Sequence, residues 1–123
     1  MAQTVLFLTL PGVMALDLTG PAETLRLAGD RFALRYIGPQ ESVVSSTQMT
    51  IAGIEPLPES LPPDSLLVVP GVCDSAIWFA TPQAEAARRW LQRQQPLLRA
   101  RQLSLICVCS GALLAAQAGL LDG

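Results

Sequence analysis

The amino-acid sequence predicts a doubly wound α/β domain with a mostly parallel sheet. Short apolar runs alternate along the chain with helix-like segments, and residues 1–40 follow the order strand, helix, strand. The apolar runs are nearly continuous, which is typical of strands buried on both faces of a parallel sheet. Half of the 123 residues are hydrophobic and only 15% are charged, so we expect one globular domain with a substantial core.

The first third of the chain predicts a central strand, a helix and a second strand. Residues 4–10 form the first strand, which ends at the turn residues Pro11 and Gly12. The helix is expected to begin at Pro21, because proline is favoured at the first helical position. Residues 32–37 form the second strand, and a right-handed crossover makes it parallel to the first.

The middle of the chain predicts a hairpin, a connector and a further buried strand. Residues 42–46 and 49–54 are strand-like, and we expect them to pair as a hairpin at the sheet edge. Residues 55–64 contain four prolines and predict an irregular connector. The apolar run 65–69 is the next strand, and it ends at Pro70.

The last third predicts a helix, a strand and a second helix. Thr81 and Pro82 indicate a helix start, and Pro96 is expected to kink or end this helix. Its apolar stripe should consist of Ala84, Ala87, Trp90 and Leu91, with Leu98 as a further candidate member. Residues 103–108 then predict the final strand, and residues 112–118 predict a helix.

The turn between this strand and helix is the strongest indication of function. It forces Cys109 into a crowded backbone conformation, and Gly111 is the small residue that such a turn needs two positions later. The sulfur would then lie above the helix N-terminus, where unpaired N–H groups favour the thiolate. In the alternative interpretation, Cys109 is a small buried residue in an ordinary strand-to-helix turn.

In doubly wound sheets the functional site lies beyond the carboxyl ends of the strands. Three segments are expected to meet there, namely the loops 11–20 and 70–74 and the Cys109 turn.

The composition argues against several other function classes. The net charge of −2 argues against nucleic-acid binding by residues 1–123. The three cysteines show no metal-ligand spacing and there is no histidine, so neither a metal nor a cofactor is expected. Residues 103–121 are long enough to span a bilayer, but their pattern changes from strand to helix, which argues against a membrane segment.

Four short segments resemble a known family. They are residues 16–21 (Leu-Asp-Leu-Thr-Gly-Pro), 67–71 (Leu-Val-Val-Pro-Gly), 108–114 (Val-Cys-Ser-Gly-Ala-Leu-Leu) and 118–123 (Ala-Gly-Leu-Leu-Asp-Gly). In this order they resemble the ThiJ/PfpI family of the class I glutamine amidotransferase-like superfamily. The resemblance is closest to the N-terminal sensor domain of GlxA-type AraC-family transcriptional regulators, and nearly as close to the isonitrile hydratases. It implies a flavodoxin-like or glutamine amidotransferase-like sheet.

The resemblance also implies roles for individual residues. Cys109 would be the elbow thiol, Asp17 the carboxylate that approaches it, and Ser110 would keep a hydroxyl where relatives commonly have threonine. Asp17 and a thiolate repel each other when both are ionised, so Asp17 either stays protonated and donates a hydrogen bond or acts as the base. The alternative interpretation of Asp17 is a loop-capping aspartate before the helix. Backbone N–H groups near Gly71, Val72 and Ser110 would bind an oxyanion. The expected ligand-binding residues are Gly71, Val72, Ser110 and Gly111.

Three departures from the family pattern are visible. Val72 stands where relatives usually have a second glycine, which would narrow the pocket. Cys73 in the same loop is interpreted either as a resolving partner of Cys109 or as a loop residue. The sequence has no histidine and ends before the Thr-Thr-His-Trp segment of relatives, so we expect residues 1–123 to be the N-terminal part of a single, C-terminally truncated ThiJ/PfpI-like domain.

Two function classes follow from the resemblance. The first is a ligand sensor of an AraC-family regulator, in which a small metabolite binds at Cys109 and a C-terminal domain outside these residues binds DNA. The second is an isonitrile hydratase-like or other cysteine-dependent enzyme. A third interpretation is a degenerate family member with a structural role. The expected partners are a small molecule and a second copy in a homodimer, and the expected location is the cytoplasm without membrane contact.

Overall fold

A five-stranded parallel sheet lies at the centre of the computed structural model, which describes residues 2–120. Its strands are β1 (Gln3–Leu8), β2 (Phe32–Gly38), β5 (Glu55–Pro56), β6 (Ser65–Val69) and β7 (Leu103–Cys107), while β3 (Ser42–Val44) and β4 (Thr50–Ala52) form a separate antiparallel hairpin. The helices are α1 (Ala15–Arg26), α2 (Ser75–Trp78), α3 (Pro82–Arg93), α4 (Gln95–Arg99) and α5 (Gly111–Gln117), and a 3-10 turn covers Gly29–Arg31.

The strand order is β5-β2-β1-β6-β7, and every pair in this sheet is parallel. The chain adds β2 and β5 on one side of β1 and then crosses over to add β6 and β7 on the other side. The winding therefore reverses between β1 and β6, and such a reversal opens a crevice at the carboxyl ends of the strands. The predicted doubly wound α/β fold with a mostly parallel sheet is confirmed.

Helices cover the sheet on both faces, which explains why β1 is apolar at consecutive positions. Val5 and Phe7 belong to one buried cluster together with Leu18 of α1. Leu6 and Leu8 belong to the other, which contains residues of α3 and α5. Because successive side chains of a strand point to opposite faces, both sets are buried at once.

The start and the buried stripe of α3 agree with the sequence prediction. The Thr81 hydroxyl accepts a hydrogen bond from the Ala84 N–H at 3.2 Å, so Thr81 is the N-cap. The buried residues of the helix are Ala84, Ala87, Trp90 and Leu91, as predicted, whereas Leu98 lies in α4 and is not part of this stripe. The helix ends at Arg93, and Pro96 lies in the first turn of α4.

The predicted start of the first helix was wrong. Helix α1 begins at Ala15, and Pro21 lies inside it. Contacts from distant residues hold the beginning of the helix, since the Met14 N–H donates to the Gly71 carbonyl at 2.8 Å and the Ala15 N–H to the Ser46 hydroxyl at 3.2 Å. Asp17 therefore lies in the first helical turn, and the loop-capping interpretation of this residue was wrong as well.

Two expectations for the middle of the chain also need correction. The segment 55–64 is not wholly irregular, because Glu55 and Pro56 pair with the edge of β2, where a proline is tolerated. The predicted hairpin forms, but as a sheet of its own that is not hydrogen-bonded to the main sheet edge. Within residues 2–120, no helix has the length and hydropathy that a membrane crossing requires.

Candidate functional site

The loops that follow β1 and β6 are paired with each other above the carboxyl ends of these strands. The Met14 N–H donates to the Gly71 carbonyl at 2.8 Å, and the Cys73 N–H donates to the Gly12 carbonyl at 2.9 Å. Val13 and Val72 form an antiparallel bridge between these two bonds. The turn after β7 joins them, since the Val108 N–H donates to the Val69 carbonyl at 3.0 Å. The loops 11–20 and 70–74 and the Cys109 turn are therefore neighbours, as the sequence predicts.

Cys109 has the crowded backbone conformation that the sequence predicts for the tight turn between β7 and α5, residues 108–111, which we call the elbow. Its φ is 53°, in the left-handed region that is unfavourable for a residue with a side chain, and its side chain is exposed. A Cβ atom on Gly111 would overlap the Val69 carbonyl oxygen, so only glycine permits this close approach of the turn to β6. The interpretation of Cys109 as a buried residue in an ordinary turn is therefore wrong.

Because Gly71 has no side chain, Asp17 and Cys109 can both lie close to it. A Cβ atom placed on Gly71 would lie 2.8 Å from the Cβ of Cys109 and 2.9 Å from Oδ2 of Asp17, so both side chains border the space above this glycine. The same Asp17 oxygen accepts a hydrogen bond from the Gly71 N–H at 3.3 Å. The half-buried carboxylate is thereby fixed beside the exposed thiol.

Ser110 connects the elbow to the Val72 backbone. Its hydroxyl oxygen accepts a hydrogen bond from the Val72 N–H at 3.0 Å and donates one to the Val72 carbonyl at 3.2 Å. The amides of Gly71 and Val72 are thus engaged by Asp17 and Ser110, respectively. The Ser110 N–H has no hydrogen-bond acceptor among residues 2–120 and lies 3.0 Å from the same position above Gly71. Of the amides of Gly71, Val72 and Ser110, it is therefore the one that is free to meet an anion.

The other two cysteines lie in different surroundings. Cys107 is half-buried in β7, and burial raises the pKa of its thiol. Cys73 is half-buried in the loop 70–74, and its backbone is fixed by Gly12. No group of three or more metal-ligating side chains is found in the described part of the chain.

One contact of the site has no signal in the sequence. The hydroxyl of Ser46, in the β3–β4 turn, accepts the Ala15 N–H at the start of the helix that carries Asp17. The two residues are 31 positions apart, and no local pattern joins them. Capping rules look only at residues next to the helix start, so they do not find such a partner.

No family model matches the sequence, and no curated protein matches it either. Solved structures do match. A ThiJ/PfpI family protein from Pseudomonas syringae superimposes with a TM-score of 0.77 at 21% sequence identity, over 100% of this chain and 48% of that one. The chain has the ThiJ/PfpI fold. The resemblance indicated by the four sequence segments is thus confirmed at the level of the fold, although residues 121–123 of the last segment lie outside the described residues.

Two other solved structures are also similar to this chain. DJ-1beta of Drosophila melanogaster has a TM-score of 0.70 at 20% identity, over 98% of this chain and 62% of that one. An AraC family transcriptional regulator from Pseudomonas putida has a TM-score of 0.71 at 21% identity, over 98% of this chain and 63% of that one. The chain therefore spans about half to two thirds of the length of these three proteins.

Proposed function

We propose that this chain is the small-molecule-binding part of a ThiJ/PfpI family protein, with Cys109 as the group that meets the ligand. The observation that carries the proposal is the position of Gly71, because the Cys109 side chain and the Asp17 carboxyl group both border the small space above this glycine. A strained, exposed cysteine with a carboxylate beside it is a costly arrangement for a purely structural turn. Such strain is concentrated at functional sites.

The chemistry follows from the three groups that border this space. The Cys109 sulfur forms a bond to an electrophilic carbon, and one π bond of that carbon to its heteroatom breaks. The thiol proton passes through Asp17 to the atom that gains the electron pair. The Ser110 N–H donates a hydrogen bond to the same atom while it carries negative charge. The expected ligands are therefore small molecules with a polarised carbon. A carbonyl follows this course, whereas an isonitrile takes both the sulfur and the proton on its terminal carbon, which gives a thioformimidate.

We infer that the site serves ligand sensing in an AraC-family regulator. The fold match to such a regulator supports this inference. DNA contacts would belong to further residues of a longer protein, and the regulator would act as a cytoplasmic homodimer. An isonitrile hydratase-like enzyme is the second candidate, and the exposed elbow thiol favours it.

The thiol chemistry is tested by alkylating the full-length protein with iodoacetamide at pH 7 and following each cysteine by mass spectrometry. We expect Cys109 to react at least about tenfold faster than Cys107. Asp17→Ala should slow Cys109 about tenfold, and Asp30→Ala, a change of an exposed aspartate in the 3-10 turn, should not. Asp17→Asn should act like Asp17→Ala if Asp17 is the base, and like wild type if it is a protonated donor. Equal rates for Cys109 and Cys107, or an unchanged rate in Asp17→Ala, would contradict the proposal.

The two candidate functions are separated by turnover. The full-length protein is incubated with an alkyl isonitrile, and formation of the N-alkyl formamide, the product of adding one water, is followed by NMR. Turnover that is lost in Cys109→Ser would support the enzyme. Sequence-specific DNA binding that changes when Cys109 is alkylated, with no turnover, would support the sensor.

A further inference from the structure

Helix α1 takes its N-terminal cap from the hairpin. Met14 stands at the N-cap position but makes no side-chain hydrogen bond there. The Ala15 N–H donates instead to the hydroxyl of Ser46 at 3.2 Å, and the Ser46 N–H donates to the Val13 carbonyl at 2.8 Å. Ser46 thus holds the two residues on either side of Met14, which is the point where the loop becomes a helix.

The turn that carries Ser46 is tightly fixed. The side chain of Ser45 is buried, and its hydroxyl oxygen accepts hydrogen bonds from the N–H groups of Thr47 and Met49 at 3.3 Å and 3.2 Å. The Ser45 N–H donates to the Met49 carbonyl at 2.8 Å, which closes the turn. Ser46 therefore stands on a rigid support, and this support belongs neither to the main sheet nor to α1.

Asp17 follows Ala15 by two positions, so a cap on Ala15 fixes the turn that carries the carboxylate. On the other side of this turn, Gly71 accepts from the Met14 N–H and donates to Asp17 Oδ2. We propose that Ser46 is a positioning residue for Asp17, and that the β3–β4 hairpin thereby sets the distance between the carboxylate and Cys109. This inference rests on the proposed function of the Asp17–Cys109 pair.

Without the Ser46 hydroxyl, the Ala15 N–H loses its acceptor. The bond from the Ser46 N–H to the Val13 carbonyl remains, but within the first helical turn the only remaining contacts of this kind come from Gly71. The Asp17 carboxylate should then spend less time on the Gly71 N–H. The consequence is local, because the buried side chains of α1, Leu18 and Ala22, are held in the apolar cluster beneath the helix. The expected result is a looser carboxylate on an otherwise intact fold.

The test compares Ser46→Ala with Ser46→Thr and Ser42→Ala in the full-length protein. Threonine keeps a hydroxyl, and Ser42 is an exposed residue of β3 whose side chain makes no hydrogen bond among the described residues. The first readout is Cys109 alkylation by iodoacetamide at pH 7. The second is amide hydrogen exchange by NMR at Ala15 and Gly71, with Leu67 in the central sheet as the internal reference.

In Ser46→Ala we expect exchange at Ala15 and Gly71 to become about fivefold faster, with Leu67 unchanged, and Cys109 to react about fivefold more slowly. Ser46→Thr and Ser42→Ala should resemble wild type. If the Gly71 amide of Ser46→Ala exchanges at the same rate as in wild type, the positioning role is overturned, whatever the alkylation rate of Cys109. A different outcome is faster exchange at Gly71 in Ser46→Ala together with an unchanged Cys109 alkylation rate in Asp17→Ala. This outcome would overturn the proposed function but keep the role of Ser46 in holding the carboxylate.

Discussion

Gly71→Ala is the sharpest test of the site, because it adds one methyl group between Asp17 and Cys109. The new carbon would lie 2.8 Å from the Cys109 Cβ, 2.9 Å from Asp17 Oδ2 and 3.0 Å from the Ser110 nitrogen. Non-bonded carbon atoms prefer about 3.5 to 4.0 Å, so the overlap with Cys109 is about 0.7 Å or more. The φ of Gly71 lies outside the left-handed region, so alanine meets no backbone strain and the effect is purely steric.

The overlap must be relieved by whichever neighbour can move. The Ser110 nitrogen is backbone, and the Cys109 Cβ is attached to a backbone held by the elbow, whereas the Asp17 carboxylate is the end of a side chain. We therefore expect Asp17 to move away and lose its bond to the Gly71 N–H, whereas the overlap with the Cys109 Cβ and the Ser110 nitrogen requires a small shift of the backbone. Overpacking of this kind costs about 2 kcal/mol in the free energy of unfolding.

The assay is again Cys109 alkylation at pH 7, together with urea unfolding. Gly71→Ala should slow Cys109 about tenfold, as Asp17→Ala does, and the double variant should be no slower than either single one, because both changes remove the same interaction. The matched control is Gly20→Ala inside α1, where an added Cβ meets nothing within 4 Å. It should raise the free energy of unfolding by about 0.5 to 1 kcal/mol and leave Cys109 unchanged. Wild-type reactivity in Gly71→Ala would refute the reasoning.

Three further predictions concern the scaffold and its titrating groups. Thr81→Ala removes the cap of α3 and should lower the free energy of unfolding by about 1 kcal/mol in urea titrations, because the Ala84 N–H loses its acceptor. Burial raises the pKa of the Cys107 thiol, so Cys107 should be alkylated more slowly at pH 8 in the folded protein than in urea, and equal rates would contradict its burial. Burial, and secondarily the charge of Glu23, raise the pKa of Tyr36 in the folded protein. The neutral phenol therefore stabilises the fold fully below the unfolded-state pKa of about 10, and this contribution is lost as the pH rises through the higher pKa of the folded state. The free energy of unfolding should therefore fall less between about pH 9 and pH 11 in Tyr36→Phe than in wild type, and identical pH profiles would contradict the shift.

Local features of the chain were predictable because each depends on residues that are adjacent in sequence. The apolar run of β1 indicates a strand buried on both faces, and both apolar clusters use it. Thr81 caps α3 within three residues. The elbow also is local, because the crowded conformation of Cys109 and the need for Gly111 follow from the tight turn between a strand and a helix. For this reason the sequence alone identified the thiol of the candidate site.

The contacts that assemble the site were decided by the tertiary structure. Proline propensity favoured a helix start at Pro21, but the bonds from Gly71 and Ser46 hold the helix from Ala15 onwards, because distant partners outweigh a local preference. The same distant partners place Asp17 in the first turn beside Cys109. Sequence patterns describe how a residue relates to its neighbours along the chain, whereas hydrogen bonds across 31 or 54 positions depend on how the loops meet above the sheet. The sequence alone thus determined the parallel sheet, the start of α3 and the strained turn at Cys109, and only the folded chain determined what surrounds that cysteine.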